Sequence, residues 1–318
     1  MTALLTRLLL LLQGLVAFAI ALAAHSVLHL DWPLSLVLGP GFILLVRLGI
    51  TANNFFINRH YCGPLAEDAR LSRTEWLHLY LSEFRATMYC SSWSMPFLAF
   101  SRRPAVDPIG LPVLLIHGYG CNSGYWHGMS KALTAAHITH HAIDLEPLFG
   151  DIDDYIPRLR DAVNALCAET GHETIIIVAH SMGGLVARAY LRAAGDARIA
   201  KVITLGSPHR GTGLANFGLG MNSQQMRWSG KAQEGQASEW LCRLQDSESE
   251  QRMPRFVSLY SLHDNIIAPQ SSSVLPGAKN IPFRGIGHVA LASTPAIQEC
   301  VIREILATDT STDSARTT

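Results

Sequence analysis

Hydrophobic positions along the 318 residues fall into three regimes, and each predicts a different kind of structure. Near the N-terminus, Leu4 to Ala24 is apolar except for Arg7, and a second apolar run, Leu34 to Val46, follows a break at Asp31 and Pro33. A helix needs about 20 such residues to cross a bilayer, so residues 1–50 read as a membrane anchor of one or two transmembrane helices. In residues 51–108 the pattern changes. Ser72-Arg-Thr-Glu75 has the form of a capping box, and Trp76, Tyr80, Phe84 and Met88 recur every four residues, which predicts a juxtamembrane helix burying one aromatic face. From Leu111 short apolar runs alternate with helical ones. Strands are expected at Val113 to Ile116, Ile138 to Ile143, Thr174 to Ala179, Val202 to Leu205, Phe256 to Leu262 and Asn280 to Phe283. Helices are expected at Tyr155 to Glu169, Met182 to Ala194 and Thr294 to Leu306. Such alternation implies an α/β domain over residues 109–308, with helices on both faces of a mainly parallel sheet.

Two stretches interrupt that rhythm. Residues 213–254 are rich in Gly, Gln and Ser yet hold Phe217, Met221, Met226, Trp228 and Trp240, and an insertion of this kind between two strands reads as a lid. Residues 309–318 are Thr-, Ser- and Asp-rich, the composition of a disordered tail. Basic and acidic residues balance at 25 each, so no net field exists to attract nucleic acid. Six scattered cysteines without a Cys-x-x-Cys pair indicate neither a zinc site nor a disulfide framework. The distribution of arginines is more informative. Arg7 precedes the first apolar run, none lies between His25 and Pro33, and Arg47, Arg59, Arg70 and Arg73 follow the second. By the positive-inside rule a two-span hairpin would keep both ends, and the α/β domain, on the cytoplasmic side of a bacterial inner membrane. A single span would put that domain on the opposite side. Ala21-Leu-Ala23 could mark a signal-peptidase site, but one arginine is a thin basic region and a second apolar run follows at once.

The chemistry concentrates at residues 179–184, Ala-His-Ser-Met-Gly-Gly, directly after an apolar run and before a helix-like stretch. A serine there is a nucleophile on a sharp strand-to-helix turn, whose strained backbone demands small residues two positions to either side. Ala179 and Gly183 meet that demand. A serine hydroxyl is a poor nucleophile near neutral pH, so Ser181 needs a base, a carboxylate to orient the base, and donors for an oxyanion. In this arrangement the chain order is nucleophile, acid, base, which removes the upstream members of the fourteen histidines. His180 adjoins the nucleophile, where neighbouring side chains are expected to point apart. His288, in Gly285-Ile-Gly-His288 after the last expected strand, is the candidate base, and Asp264, immediately after the strand Phe256 to Leu262, is the candidate acid. Backbone N–H groups of Tyr119, in His117-Gly-Tyr-Gly120, and of Met182 are the candidate oxyanion donors.

These segments, with Leu205-Gly-Ser-Pro-His-Arg-Gly-Thr212, Leu262-His-Asp-Asn-Ile-Ile-Ala-Pro269 and Gly287-His-Val-Ala-Leu291, resemble bacterial lipases and esterases of the α/β-hydrolase fold over roughly residues 112–306. The resemblance implies carboxylic-ester hydrolysis through an acyl-enzyme, with Ser181, Asp264 and His288 as the triad and no cofactor. Alanine two residues before the serine is similar to the small, lidless members, although the insertion here is longer than theirs. Larger members hold calcium near the catalytic histidine. No paired aspartates here match that site, so no metal is expected. Many relatives are secreted, whereas this chain carries a membrane segment, which shifts the expected partner from bulk fat to membrane lipid or another acyl ester, phospholipid included. Phe217, Met221, Met226 and Trp228 are the candidate substrate-binding residues, since adaptable methionines and aromatics suit an acyl chain. An acyltransferase using the same triad, or a tethered scaffold that has lost activity, are the alternatives.

Overall fold

The fold is known from a computed structural model that describes residues 1–63, 66–195, 197–248 and 255–316, with side chains as far as Thr308 except those of Asp68 and Gln233. It begins with two long antiparallel helices, α1 (Thr2–Ser26) and α2 (Trp32–Tyr61). Asp31 and Pro33, which look like a break in the second apolar run, are its start. The Asp31 carboxylate accepts from Leu34 N–H at 3.1 Å and the proline occupies the first turn, where its missing N–H is harmless. Both helices are long and apolar enough to cross a membrane, and only 11% and 17% of their most apolar windows are buried, unlike core helices of a globular domain. Where they cross, Gly39 lies against the Ala17 backbone so closely that a Cβ would strike the Ala17 carbonyl, the small-residue contact by which membrane helices approach.

At 30 residues α2 is about 45 Å long, and its last turns stand on the α/β domain. Asn58 is buried there, and the Tyr61 ring fills the space beside Gly213. The start of α1 lies beside the same domain, with Leu4, Leu5 and Leu8 lining one pocket with Pro147 and Phe149, while Arg7 Nε donates to the Pro96 carbonyl of the segment before it at 2.8 Å. Both ends of the hairpin are therefore on one side.

Helix α3 (Arg73–Tyr89) opens with the expected capping box, Ser72 and Glu75 each bonding the other's backbone N–H. Its buried positions differ from the expected aromatic face. Leu79 and Glu83 are buried, whereas Trp76 is 41% exposed and Phe84 and Met88 are half-buried. The shift has a polar cause described below, a carboxylate drawn inward by backbone donors. A π-helical turn, Cys90–Ser94, and α4 (Met95–Phe97) complete this segment.

The α/β domain then runs β1 (Arg102–Arg103), β2 (Val113–Ile116), α5 (His127–Ala135), β3 (His140–Ile143), α6 (Ile156–Thr170), β4 (Ile175–His180), α7 (Met182–Ala194) and β5 (Ile199–Leu205). The insertion follows with α8 (Gly220–Gln225), β6 (Trp228–Ser229), β7 (Gln236–Ala237) and α9 (Glu239–Asp246), then β8 (Phe256–Ser261), β9 (Lys279–Phe283) and α10 (Pro295–Arg316). The segment 309–316, expected as part of an unstructured tail, continues the backbone of α10. The sheet order is β1-β3-β2-β4-β5-β8-β9, parallel throughout except for β1 against β3. Ile175 to Ala179 of β4 are wholly inaccessible, as a central parallel strand covered on both faces requires. One core lies between the sheet and α6, α7 and the insertion, the other between the sheet and α5 and α10. Strand order reverses between β2 and β4, and that crevice at the strand C-termini is where a site is expected in an open α/β sheet.

Substituting Gly39→Leu is expected to destabilise the detergent-solubilised chain by about 1–3 kcal/mol through overpacking, seen as a lower midpoint of thermal unfolding. Gly41→Leu, at a position with no neighbouring atom within 4 Å, should leave the midpoint unchanged.

Candidate active site

Strand β4 delivers Ser181 into the crevice on a strained backbone, φ 54° and ψ −124°, a region a residue with a Cβ avoids. The turn is held by Ser181 N–H donating to the Leu205 carbonyl of β5 at 2.9 Å. It is also crowded. A Cβ on Gly183 would lie 2.5 Å from the Ile116 carbonyl oxygen, and one on Gly118 would lie 2.8 Å from the serine Cβ. Those contacts explain why both positions are glycine, and they bring the loop after β2 against the serine. Among the described residues neither Tyr119 N–H nor Met182 N–H, the first amide of α7, has an acceptor, so both remain available to an oxyanion.

The loops after β8 and β9 supply the other two groups. His288 Nδ1 and Asp264 Oδ2 are 2.8 Å apart, both side chains buried. The second aspartate oxygen, Oδ1, accepts the N–H groups of Ile266 and Ile267, each at 2.8 Å. With one oxygen committed to backbone donors and the other to the imidazole, Asp264 fixes the ring's tautomer and orientation. Burial works against the imidazolium, yet the Asp264 carboxylate outweighs it, with Glu83 adding in the same direction, and His288 is held above the ordinary histidine value. No hydrogen bond joins Ser181 Oγ to His288 among the described residues. The two are neighbours through His180, whose ring centroid is 4.5 Å from that of His288 and whose Nε2 lies 3.2 Å from the His288 carbonyl. His180 has no hydrogen bond to Ser181 itself; its ring is stacked on Tyr125 at 4.2 Å, burial holds it well below the ordinary histidine value, and it backs the His288 loop.

Glu83 has no precedent in the sequence pattern. It projects from α3, 1% exposed, and its two carboxylate oxygens accept the consecutive N–H groups of Val289 and Ala290, each at 3.0 Å. Asn265 Oδ1 accepts His288 N–H at 2.9 Å. Three successive backbone donors of the histidine loop are therefore bound by side chains. Burial pushes the Glu83 carboxyl above the usual range, with the Val289 amide opposing it. A second contribution comes from α2. Asn58 Nδ2 and Gln270 Nε2 each donate to the Asp264 carbonyl at 3.0 Å, and Gln270 also donates to Asn58 Oδ1 at 3.0 Å.

Above Ser181 lies a cavity of about 300 Å³. The insertion contributes Leu214, Phe217 and Met226 to it, and the loop after β8 contributes Ile266. Of the four expected substrate-binding residues, Phe217 and Met226 are here. Met221 and Trp228 are not in the lining. Met221 is largely exposed, its amide bound to the Phe149 carbonyl, and Trp228 is buried against Gly235 within the insertion. A further wall is formed by the last turns of α2, through Asn53, Asn54 and Ile57.

A base with a raised proton affinity is lost on the acid side. If His288 acts as base, kcat/KM for a soluble ester should fall with decreasing pH through an apparent pKa above about 6.5, and Asp264→Asn should lower the rate and carry that limb to lower pH; a pH-rate profile measures both. Replacing Glu83 by Leu would leave two buried N–H groups without acceptors, each costing about 1–3 kcal/mol, which thermal unfolding would register.

Comparison with known proteins agrees with this geometry. A family model described as alpha/beta hydrolase fold matches residues 112–230. Over 103 residues the chain is 34% identical to a pimeloyl-[acyl-carrier protein] methyl ester esterase of Aeromonas hydrophila, covering 31% of this chain and 38% of that one. Over 114 residues it is 30% identical to a triacylglycerol lipase of Burkholderia plantarii, covering 33% of this chain and 32% of that one. The chain thus spans about a third of the length of the curated relatives it matches. Among solved structures, mature Bacillus licheniformis lipase superposes with a TM-score of 0.53 at 19% identity, covering 65% of this chain and 97% of that one. Aspergillus fumigatus lipase B gives 0.54 at 17% identity, covering 63% and 53%. Sheet order, the strained serine between β4 and α7, and the matched segment show that this chain has the α/β-hydrolase fold.

Proposed function

We propose that the chain is a membrane-anchored serine carboxylic-ester hydrolase of the lipase/esterase type, acting on acyl esters drawn from the bilayer. The observation that carries this reading is the buried Asp264–His288 pair at 2.8 Å beside the strained Ser181, under an apolar cavity walled partly by the hairpin. In the proposed reaction His288 Nε2 takes the Ser181 proton as Oγ attacks the ester carbonyl carbon. The Tyr119 and Met182 amides receive the resulting oxyanion, and the leaving alcohol departs with the proton from His288. Water then adds to the acyl-enzyme by the same route, returning the serine and releasing the acid.

Substrate class follows from what surrounds the serine. A cavity of about 300 Å³ is at the small end of ligand pockets, and its apolar insertion residues suit an acyl chain. Ile57 and its neighbours belong to the same helix that reads as a transmembrane span, so an ester partitioned into a bilayer would have a continuous apolar path to Ser181. Anchoring also raises the local concentration of lipid esters over soluble ones. The arginine pattern, with both hairpin ends beside the α/β domain, supports a cytoplasmic placement.

The test is hydrolysis by the purified full chain of p-nitrophenyl esters and of a panel of lipid classes. Ser181→Ala should lower kcat on the order of 10⁶-fold without moving the thermal midpoint, and a fluorophosphonate probe should label the wild type at Ser181. Wild-type turnover by that variant would sink the assignment.

A further inference from the structure

A larger cavity lies on the other side of α2. At about 780 Å³ it exceeds the catalytic cavity, and it is bounded by α2, α3 and the loop after β8. Phe55 and Phe56 from α2 and Trp76 and Tyr80 from α3 form aromatic walls, with Phe55 and Trp76 edge to face at 6.1 Å. The two cavities use opposite faces of one rod. At 100° per residue, Asn53, Asn54 and Ile57 point to the catalytic side, while Ala52, Phe55, Phe56 and Arg59 point to this one. We propose that this cleft is a second lipid site, separate from the catalytic cavity, holding one molecule of an anionic phospholipid.

Depth, wall chemistry and charge each favour that occupant. These turns of α2 are the overhang just past a bilayer-length span, which places the cleft at headgroup level, where tryptophan and tyrosine belong. Phe56 stands 73% exposed at the mouth, unfavourable beside water and favourable beside acyl chains running back along α2. Arg59 lies at the rim with no carboxylate partner among the described residues. Unpaired arginine at headgroup depth selects negative charge. The floor includes Asn58 and Gln270, the two side chains that donate to the Asp264 carbonyl, so an occupant rests against the support of the acid rather than against the serine. The proposal rests on the hairpin lying in a bilayer and is independent of the hydrolytic reading.

The full chain is reconstituted in phosphatidylcholine vesicles containing either photoactivatable phosphatidylglycerol or photoactivatable phosphatidylcholine, and adducts are mapped by mass spectrometry. Phosphatidylglycerol adducts are expected on the Phe56 and Trp76 peptides, in excess over phosphatidylcholine adducts. Arg59→Gln should lower their yield roughly fivefold, and Ala52→Trp, which fills the cleft, should abolish them. Vesicle flotation and p-nitrophenyl butyrate hydrolysis should be unaffected by either variant, so loss of membrane insertion or of catalysis is read separately. Equal labelling of the cleft by the two lipids, or undiminished labelling in either variant, would overturn the proposal.

Discussion

The arrangement depends on buried polar contacts that reach the catalytic loops from outside the α/β domain. A loop after a strand has no ladder to hold it, and its backbone donors must be satisfied or the loop will move. Here Glu83 takes two successive amides of the His288 loop and Asn58 takes the carbonyl of Asp264. Both side chains come from helices that precede the sheet in sequence, so Asp264 is held to α2 and His288 to α3 as well as to each other.

The sheet contributes a different constraint. It places the serine by strain, through a left-handed backbone hemmed in by Gly118 and Gly183. Strain of this kind persists only where surroundings over-determine it, and a central strand inaccessible on both faces is such a surrounding. Rigidity at Ser181 and side-chain clamps at His288 are complementary: one residue is held by the sheet and the other by removable contacts.

Much of this was legible in the chain. Parallel strands buried on both faces are near-continuous apolar runs, so β2 and α7 fall where periodicity puts them and the other sheet strands within a few residues. The two-residue strand β1, Arg102–Arg103, carries no apolar signal and passed unseen. The Asp264–His288 contact followed from chain order, because acid and base each sit just beyond a recognisable strand. Glu83 was invisible for a physical reason. A glutamate on an amphipathic helix reads as a solvent-facing residue, and only the distant amides of Val289 and Ala290, 206 and 207 positions away, draw it inward. The same holds for Asn53, Asn54 and Ile57, since nothing in an apolar helix tells which of its turns will wall a cavity. Within the insertion, composition suggested a greasy lining but could not separate Phe217 and Met226, which face the serine, from Trp228, which packs inside the insertion itself.

Helix α2 is one unbroken rod from Trp32 to Tyr61, and a rod cannot shorten. With the hairpin in a bilayer, a thicker hydrocarbon layer would swallow more of its far end unless the hairpin straightened toward the membrane normal, and a thinner one would make it lean. Either adjustment moves Ile57 and Asn58 together, the first in the wall over the nucleophile and the second on the carbonyl of the acid. With the hairpin in a bilayer, the residue count of a single helix would thus set a mechanical gauge between membrane thickness and the shape of the mouth above Ser181.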